Sequence, residues 1–240
     1  MSLGRGVMAV WNDLEPGREA EFDAWYRRQH IPERLHQPGF LEARRYLADE
    51  GIGSPRYCAF YWLESIAALK TPQYLACLAH PTRWTRRAMP WFREMGRSPC
   101  TVIADVGSGI GGMMIWMAAT GAPASGTALH AQLAPVWASL CADPAIVRAQ
   151  LWDCDPSART QFNPEERLRT ARDEVADCIV CIEGAAARAL DDAADRICSV
   201  ASAAAPRVEL RVSPCYRLLW RMRAAEAPPL CSDDDANVSL

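Results

Sequence analysis

The chain of 240 residues is 50% hydrophobic and 23% charged with a net charge of −3, proportions that exclude a disordered polypeptide and describe a folded protein of one large or two smaller domains. Its basic residues, all arginine apart from Lys70, are scattered rather than bunched, so nothing marks a nucleic-acid partner. The N-terminus shows no charged segment leading into an apolar run, and no stretch is long and apolar enough to span a bilayer; the expectation is a cytoplasmic protein with no membrane partner, whose ten cysteines are buried free thiols rather than disulfides.

Taken in order, residues 6–11 read as a short buried strand bounded by Gly and by Asn12-Asp13. A helix is expected from Glu15-Pro16-Gly17 onward, because Phe22, Trp25, Tyr26 and Gln29 recur at helical spacing. Pro32 lacks an amide hydrogen and predicts a kink or end near Ile31. Pro38-Gly39 is then a turn into a strand at 40–48, which can pair with a second at 56–63 as an antiparallel hairpin. A helical region over 65–94, interrupted by Pro72, Pro81 and Pro90, leads to a closing strand at 100–106. That order, βαββαβ, is the ferredoxin-like arrangement.

Residues 107–112 spell G-x-G-x-x-G after a strand, the pattern of a dinucleotide-binding turn. Such a turn must open a helix to meet the pyrophosphate, whereas Met113-Met114-Ile115-Trp116-Met117 is strand-like. A linker is the better reading. The order then restarts with a strand at 113–117, a helix at 127–141, strands at 146–152 and 178–182, a helix at 185–204, and a closing strand region at 208–212 and 215–220. An ungapped offset of 106 residues lays Gly6 on Gly112, Pro38 on Pro144 and Tyr46 on Trp152, with an insertion of about 14 residues at 156–169. The fold class expected is α+β: two tandem ferredoxin-like units, 1–107 and 108–223, with antiparallel sheets face to face as an intrachain α/β barrel. Residues 224–240 are expected to be a disordered tail.

The same offset sets His30 on Val136, Trp25 on Ala131, Glu33 on Ser139 and Asn12 on Ala118, so any site is expected in the first unit alone. His30 is the candidate catalytic acid or base, since imidazole exchanges a proton near neutral pH, with Glu33 to orient it. A histidine that merely fixes the turn is the competing reading. Strand alternation sets Arg44 and Tyr46 on one face and Arg45 on the other, and a guanidinium facing a cavity would suit an enolate or carboxylate. Asn12, Trp25, Tyr26, Arg44, Arg45, Tyr46 and Tyr61 are the candidate substrate-binding residues, with Trp11 and Trp62 as candidate cavity walls. No metal site is expected: Cys178-x-x-Cys181 lies in a strand, where residues three apart point to opposite faces, and Cys77-x-x-His80 offers two ligands only.

The segment WYRRQHIPERLHQPGFLEARRY, Trp25 to Tyr46, resembles the EthD-like branch of the dimeric α/β-barrel proteins. The resemblance implies a helix that ends in an aromatic and a His-hydrophobic-Pro, a Pro-Gly turn, and a cavity between two facing sheets. It implies a cofactor-independent small-molecule enzyme of the isomerase, cyclase or monooxygenase type, with His30 acting on an aromatic or lactone-like substrate in the inter-sheet cavity. The alternatives are a non-catalytic small-molecule-binding or accessory protein, and a haem-binding protein using His30, His36, His80 or His130 as axial ligand. A monomeric pseudo-dimer or a homodimer would both satisfy the fold.

Overall fold

Nine strands pair antiparallel in the order β7-β6-β4-β1-β3-β2-β9-β5-β8, and a further β7–β5 pairing closes the sheet into a barrel. The computed structural model describes residues 4–49, 51, 53–119, 126–155, 157, 164–169, 173–204 and 210–230. The first half runs β1 (Gly6–Leu14), α1 (Glu19–Trp25), α2 (Ile31–Leu35), β2 (Phe40–Ala48), β3 (Tyr57–Leu63), α3 (Pro72–Ala79), α4 (Arg83–Ala88) and β4 (Phe92–Gly107). The second runs β5 (Met113–Ala119), α5 (Gly126–Cys141), β6 (Ile146–Cys154), β7 (Cys178–Gly184), α6 (Ala187–Ala204), β8 (Leu210–Val212) and β9 (Tyr216–Arg223). Both halves are ferredoxin-like βαββαβ units, joined edge to edge through β4–β6 and β2–β9.

The barrel has three apolar layers because its strands are covered on both faces. Along β1 and β3 the side chains alternate: Met8, Val10, Tyr57, Ala59 and Tyr61 point to the helices of the first half. Val7, Ala9, Trp11, Cys58, Phe60 and Trp62 point into the barrel. A third cluster lies between the second half's strands and α5 and α6. The barrel interior is packed, with the Trp11 and Trp116 rings stacked at 4.9 Å and Trp152 edge-on to Phe60 at 5.1 Å and to Trp62 at 6.4 Å. The expected inter-sheet cavity is therefore filled by indoles, and Trp11 and Trp62 are core. Cys178 faces the helices and Cys181 the barrel, as strand alternation requires.

Local chemistry explains where the elements depart from expectation. The first helix does not stop at Ile31. Tyr26–His30 forms a turn of π-helix in which the Ile31 amide donates to the Tyr26 carbonyl, and the helix continues as α2 with Pro32 directly after that wide turn. Strand β4 starts eight residues earlier than the pattern suggested. It carries Glu94 at φ 45° and, at Gly96, bare backbone beneath the Trp11 indole: a Cβ there would lie 2.0 Å from the ring. The turn at Pro38 and its counterpart at Pro144 each lead into a nine-residue strand, β2 and β6, with the same alternation of burial. Between β4 and β5 no helix follows the glycines; instead the Gly111 amide donates to the Glu183 carboxylate at 3.1 Å. Ala224–Glu226, expected in the tail, makes a short 3-10 turn; residues 231–240 lie outside the described residues, as do 208 and 209.

Candidate functional site

His30 sits on the helix side of the first sheet, not between the sheets. The π-turn brings Tyr26 and His30 over the outward face of β1 and β3, where they meet Met8, Val10 and Tyr61 around a pocket. Phe40, Phe92 and Met95 extend its apolar wall, and Tyr74, Met89, Arg34 and Arg97 complete the first half's contribution. Glu165 and Arg169 reach in from the second half, on and just after the 3-10 turn Pro164–Leu168. The space amounts to about 440 Å³ when the open mouth is counted.

The imidazole is held between aromatic rings. Trp25 lies 4.3 Å away, Tyr26 5.1 Å and Tyr61 6.4 Å, centroid to centroid. Trp25 is itself fixed by its indole N–H, which donates to the Thr85 hydroxyl at 3.3 Å. His30 is 8% exposed, and its Nδ1 is buried without a hydrogen-bond partner. Burial, reinforced by Arg34, Arg45 and Arg169, pushes its pKa well below the usual imidazole range, so the ring is neutral. Burial likewise raises the neighbouring phenols of Tyr26 and Tyr61, which remain protonated donors.

Around this apolar centre the charges are mostly paired. Arg34 forms a buried salt bridge with Glu165 and lies 3.5 Å from Glu33; its Nη1 donates to the Cys77 sulfur at 2.7 Å. Arg169 donates to both oxygens of Asp173 at 2.7 Å, while its Nε is buried without a partner. Arg97 donates to the Tyr74 hydroxyl at 3.2 Å, and no carboxylate lies within salt-bridge distance of it among the described residues. Such a set can hold an aromatic ring, accept a proton at a neutral imidazole and steady an oxyanion.

The structure gathers three of the residues singled out from the sequence, Tyr26, His30 and Tyr61, into one pocket. Trp25 backs His30 without lining the pocket. Glu33, expected to orient His30, lies against Arg34 instead. Asn12 is buried at the end of β1, its amide bonded to the Asp13 carbonyl at 2.8 Å. Arg44 and Tyr46 face the barrel interior: Arg44 donates to Glu42 at 2.6 Å and to both Glu183 oxygens at 2.9 Å, and lies 4.2 Å from the Trp62 ring centroid. Arg45 is sealed on the helix side behind Tyr26, 3.9 Å from its ring centroid, with Asp23 at 2.7 Å. The guanidinium groups that line the pocket are instead those of Arg34, Arg97 and Arg169. Of these, Arg97 carries no local signal in the sequence; Glu165 and Arg169 lie in the insertion at 156–169, where no periodicity marks them.

No family model matches the chain, and no curated protein sequence matches it significantly. Among solved structures it is similar to an anthrone oxidase-like protein, at 12% identity and a TM-score of 0.67 over 96% of this chain and 98% of the other. It is also similar to a protein of Fusobacterium nucleatum subsp. nucleatum provisionally named a monooxygenase, at 7% identity and a TM-score of 0.52 over 92% and 95% of the two chains. At these identities the likeness is one of fold, and the chain shares the α/β-barrel architecture of both.

Proposed function

We propose that the chain is a cofactor-independent small-molecule enzyme that removes a proton from a phenolic or enolisable aromatic compound, with His30 as the acceptor. The observation that carries this reading is the neutral, buried imidazole with an unsatisfied Nδ1 in an aromatic pocket. A ring so placed is a weak base, so it suits an acidic O–H or activated C–H whose product anion is stabilised nearby. Tyr26 and Tyr61 supply donors for that anion, and the guanidinium groups supply charge. The resulting enolate can be reprotonated at another carbon, close a ring, or react with dioxygen. In the last case a substrate CH2 and O2 give a carbonyl and water.

The WY-x3-H-x-P segment supports a place in the EthD-like branch, and the fold neighbour named anthrone oxidase-like supports the oxygenase variant. Dioxygen uptake with 1,8-dihydroxy-9-anthrone as probe tests it. His30→Gln should fold, by circular dichroism, and turn the probe over about 10² to 10⁴ times more slowly. Undiminished turnover by that variant overturns the assignment of His30. A second reading, a non-catalytic binding protein, is favoured by the tight walls; it predicts ligand binding without turnover in either protein.

A further inference from the structure

We infer that the ligand of this pocket is an aromatic compound that already carries a negative charge, a carboxylate or phenolate, and that Arg97 receives it. The inference rests on the reading that the His30 pocket is the ligand site, but not on proton transfer by His30. Two features of the pocket converge on it. Its walls are Tyr26, Phe40, Tyr61, Phe92 and the thioethers of Met8 and Met95, surfaces that accept the face or edge of a flat ring.

The charges provide the second feature. Glu165 is bonded to Arg34, and Asp173 to Arg169, so the carboxylates that act on Arg97 through space are each engaged by another guanidinium. Arg97 itself has only the Tyr74 hydroxyl as side-chain partner among the described residues. It stands on β4 opposite Val10, a pocket residue, so that its stem is fixed by the sheet and its head reaches the pocket. A cation at an apolar wall is costly until an anion joins it. The planar fork of a guanidinium takes a carboxylate through two parallel hydrogen bonds, whereas a neutral amide of the same shape offers it one acceptor.

Titration calorimetry with 1-naphthoate and its uncharged isostere 1-naphthamide distinguishes charge from shape. The acid should bind the unmodified protein at least tenfold more tightly than the amide, and the difference should shrink with added salt. Arg97→Gln should abolish the preference, and Arg97→Lys should restore part of it. Equal affinities, binding of neither probe, or an unchanged preference in Arg97→Gln overturns the inference. The comparison of acid with amide needs no variant and so survives a folding defect. His30→Gln should retain the preference, so a failure of the catalytic reading and a failure of the anion site give different results.

Discussion

Replacing Arg44 by methionine should destabilise the protein strongly while leaving the pocket intact. The guanidinium is fully buried in the barrel between Glu42 and Glu183 and stacks on Trp62. Methionine keeps much of the volume and the contact with the indole but removes the charge. Glu42 retains Arg221 and Arg223, each at 3.5 Å. Glu183 keeps only the Gly111 amide as a hydrogen-bond donor among the described residues. The loss therefore falls on Glu183. Breaking a buried pair in this way costs about 3–5 kcal/mol, which for a chain of this size lowers Tm by roughly 6–20 °C.

The pH dependence adds a sign that a simple packing defect would not produce. Burial already raises the pKa of Glu183 above that of an exposed carboxylate, against the opposing pull of Arg44. Without Arg44 it rises further. A carboxylate whose folded pKa is raised contributes stability at low pH and loses it as pH climbs from the unfolded value through the folded one. The penalty of Arg44→Met should thus be smaller at pH 5 than at pH 7.5, by about 1.4 kcal/mol for each unit by which the pKa moves. Urea unfolding at both pH values measures it, and Glu183→Gln in the same background should recover part of the loss. A variant of unchanged stability that has lost 1-naphthoate affinity would refute the reasoning and return Arg44 to the ligand site.

Three further outcomes follow from the same geometry. Glu165→Gln should lower stability by at most about 3–5 kcal/mol, less if the Pro164–Leu168 turn lifts and lets Arg34 meet water; it should also tighten 1-naphthoate binding, because Arg34 loses its carboxylate, and an unchanged Tm would contradict the buried pair. Gly96→Ala places a methyl 2.0 Å from the Trp11 ring, so it should disturb the Trp11–Trp116 stack and cost about 1–3 kcal/mol or more, read as a change in near-ultraviolet circular dichroism and a lower urea midpoint. His30, whose folded pKa is depressed by burial and the nearby arginines, should make the protein lose stability as pH falls below about 6.5, at up to about 1.4 kcal/mol per pH unit. His30→Gln should lack that part of the slope in urea titrations at pH 7.5, 6.0 and 5.0; identical slopes would mean that His30 takes up a proton in the fold as readily as in the unfolded chain.

The strands, the Pro-Gly turn and the ferredoxin-like order were legible because each leaves a local mark: alternation, β-branched or aromatic density, or a residue with a special backbone. The layer that holds the site was not. Every residue of β3 is buried, so no polar face says which side meets helices and which meets the other sheet. Alternation separates Tyr61 from Trp62 but assigns neither to a cavity. Arg44 and Arg45 illustrate the consequence: their opposite faces were readable, while the packed barrel that claims one of them depends on four tryptophans brought together from β1, β3, β5 and β6. The early start of β4 was hidden by the charged, glycine-interrupted residues 92–99. Glu165 and Arg169 lie in irregular chain, where no period links them to a pocket in the other half.

The asymmetry between the halves narrows what the π-turn is for. At the 106-residue offset His30 corresponds to Val136 and Tyr26 to Gln132, both in α5, a helix of 16 residues that carries Pro135 inside it and shows no π-turn. There Leu133, Val136, Trp137 and Leu140 fill the space between helix and sheet. The corresponding space in the first half holds the pocket. That half's wide turn, its histidine and its pocket occur together on one helix. Packing alone would favour the valine of the second half at the position of His30, which makes the histidine, rather than the turn around it, the feature that function has to explain.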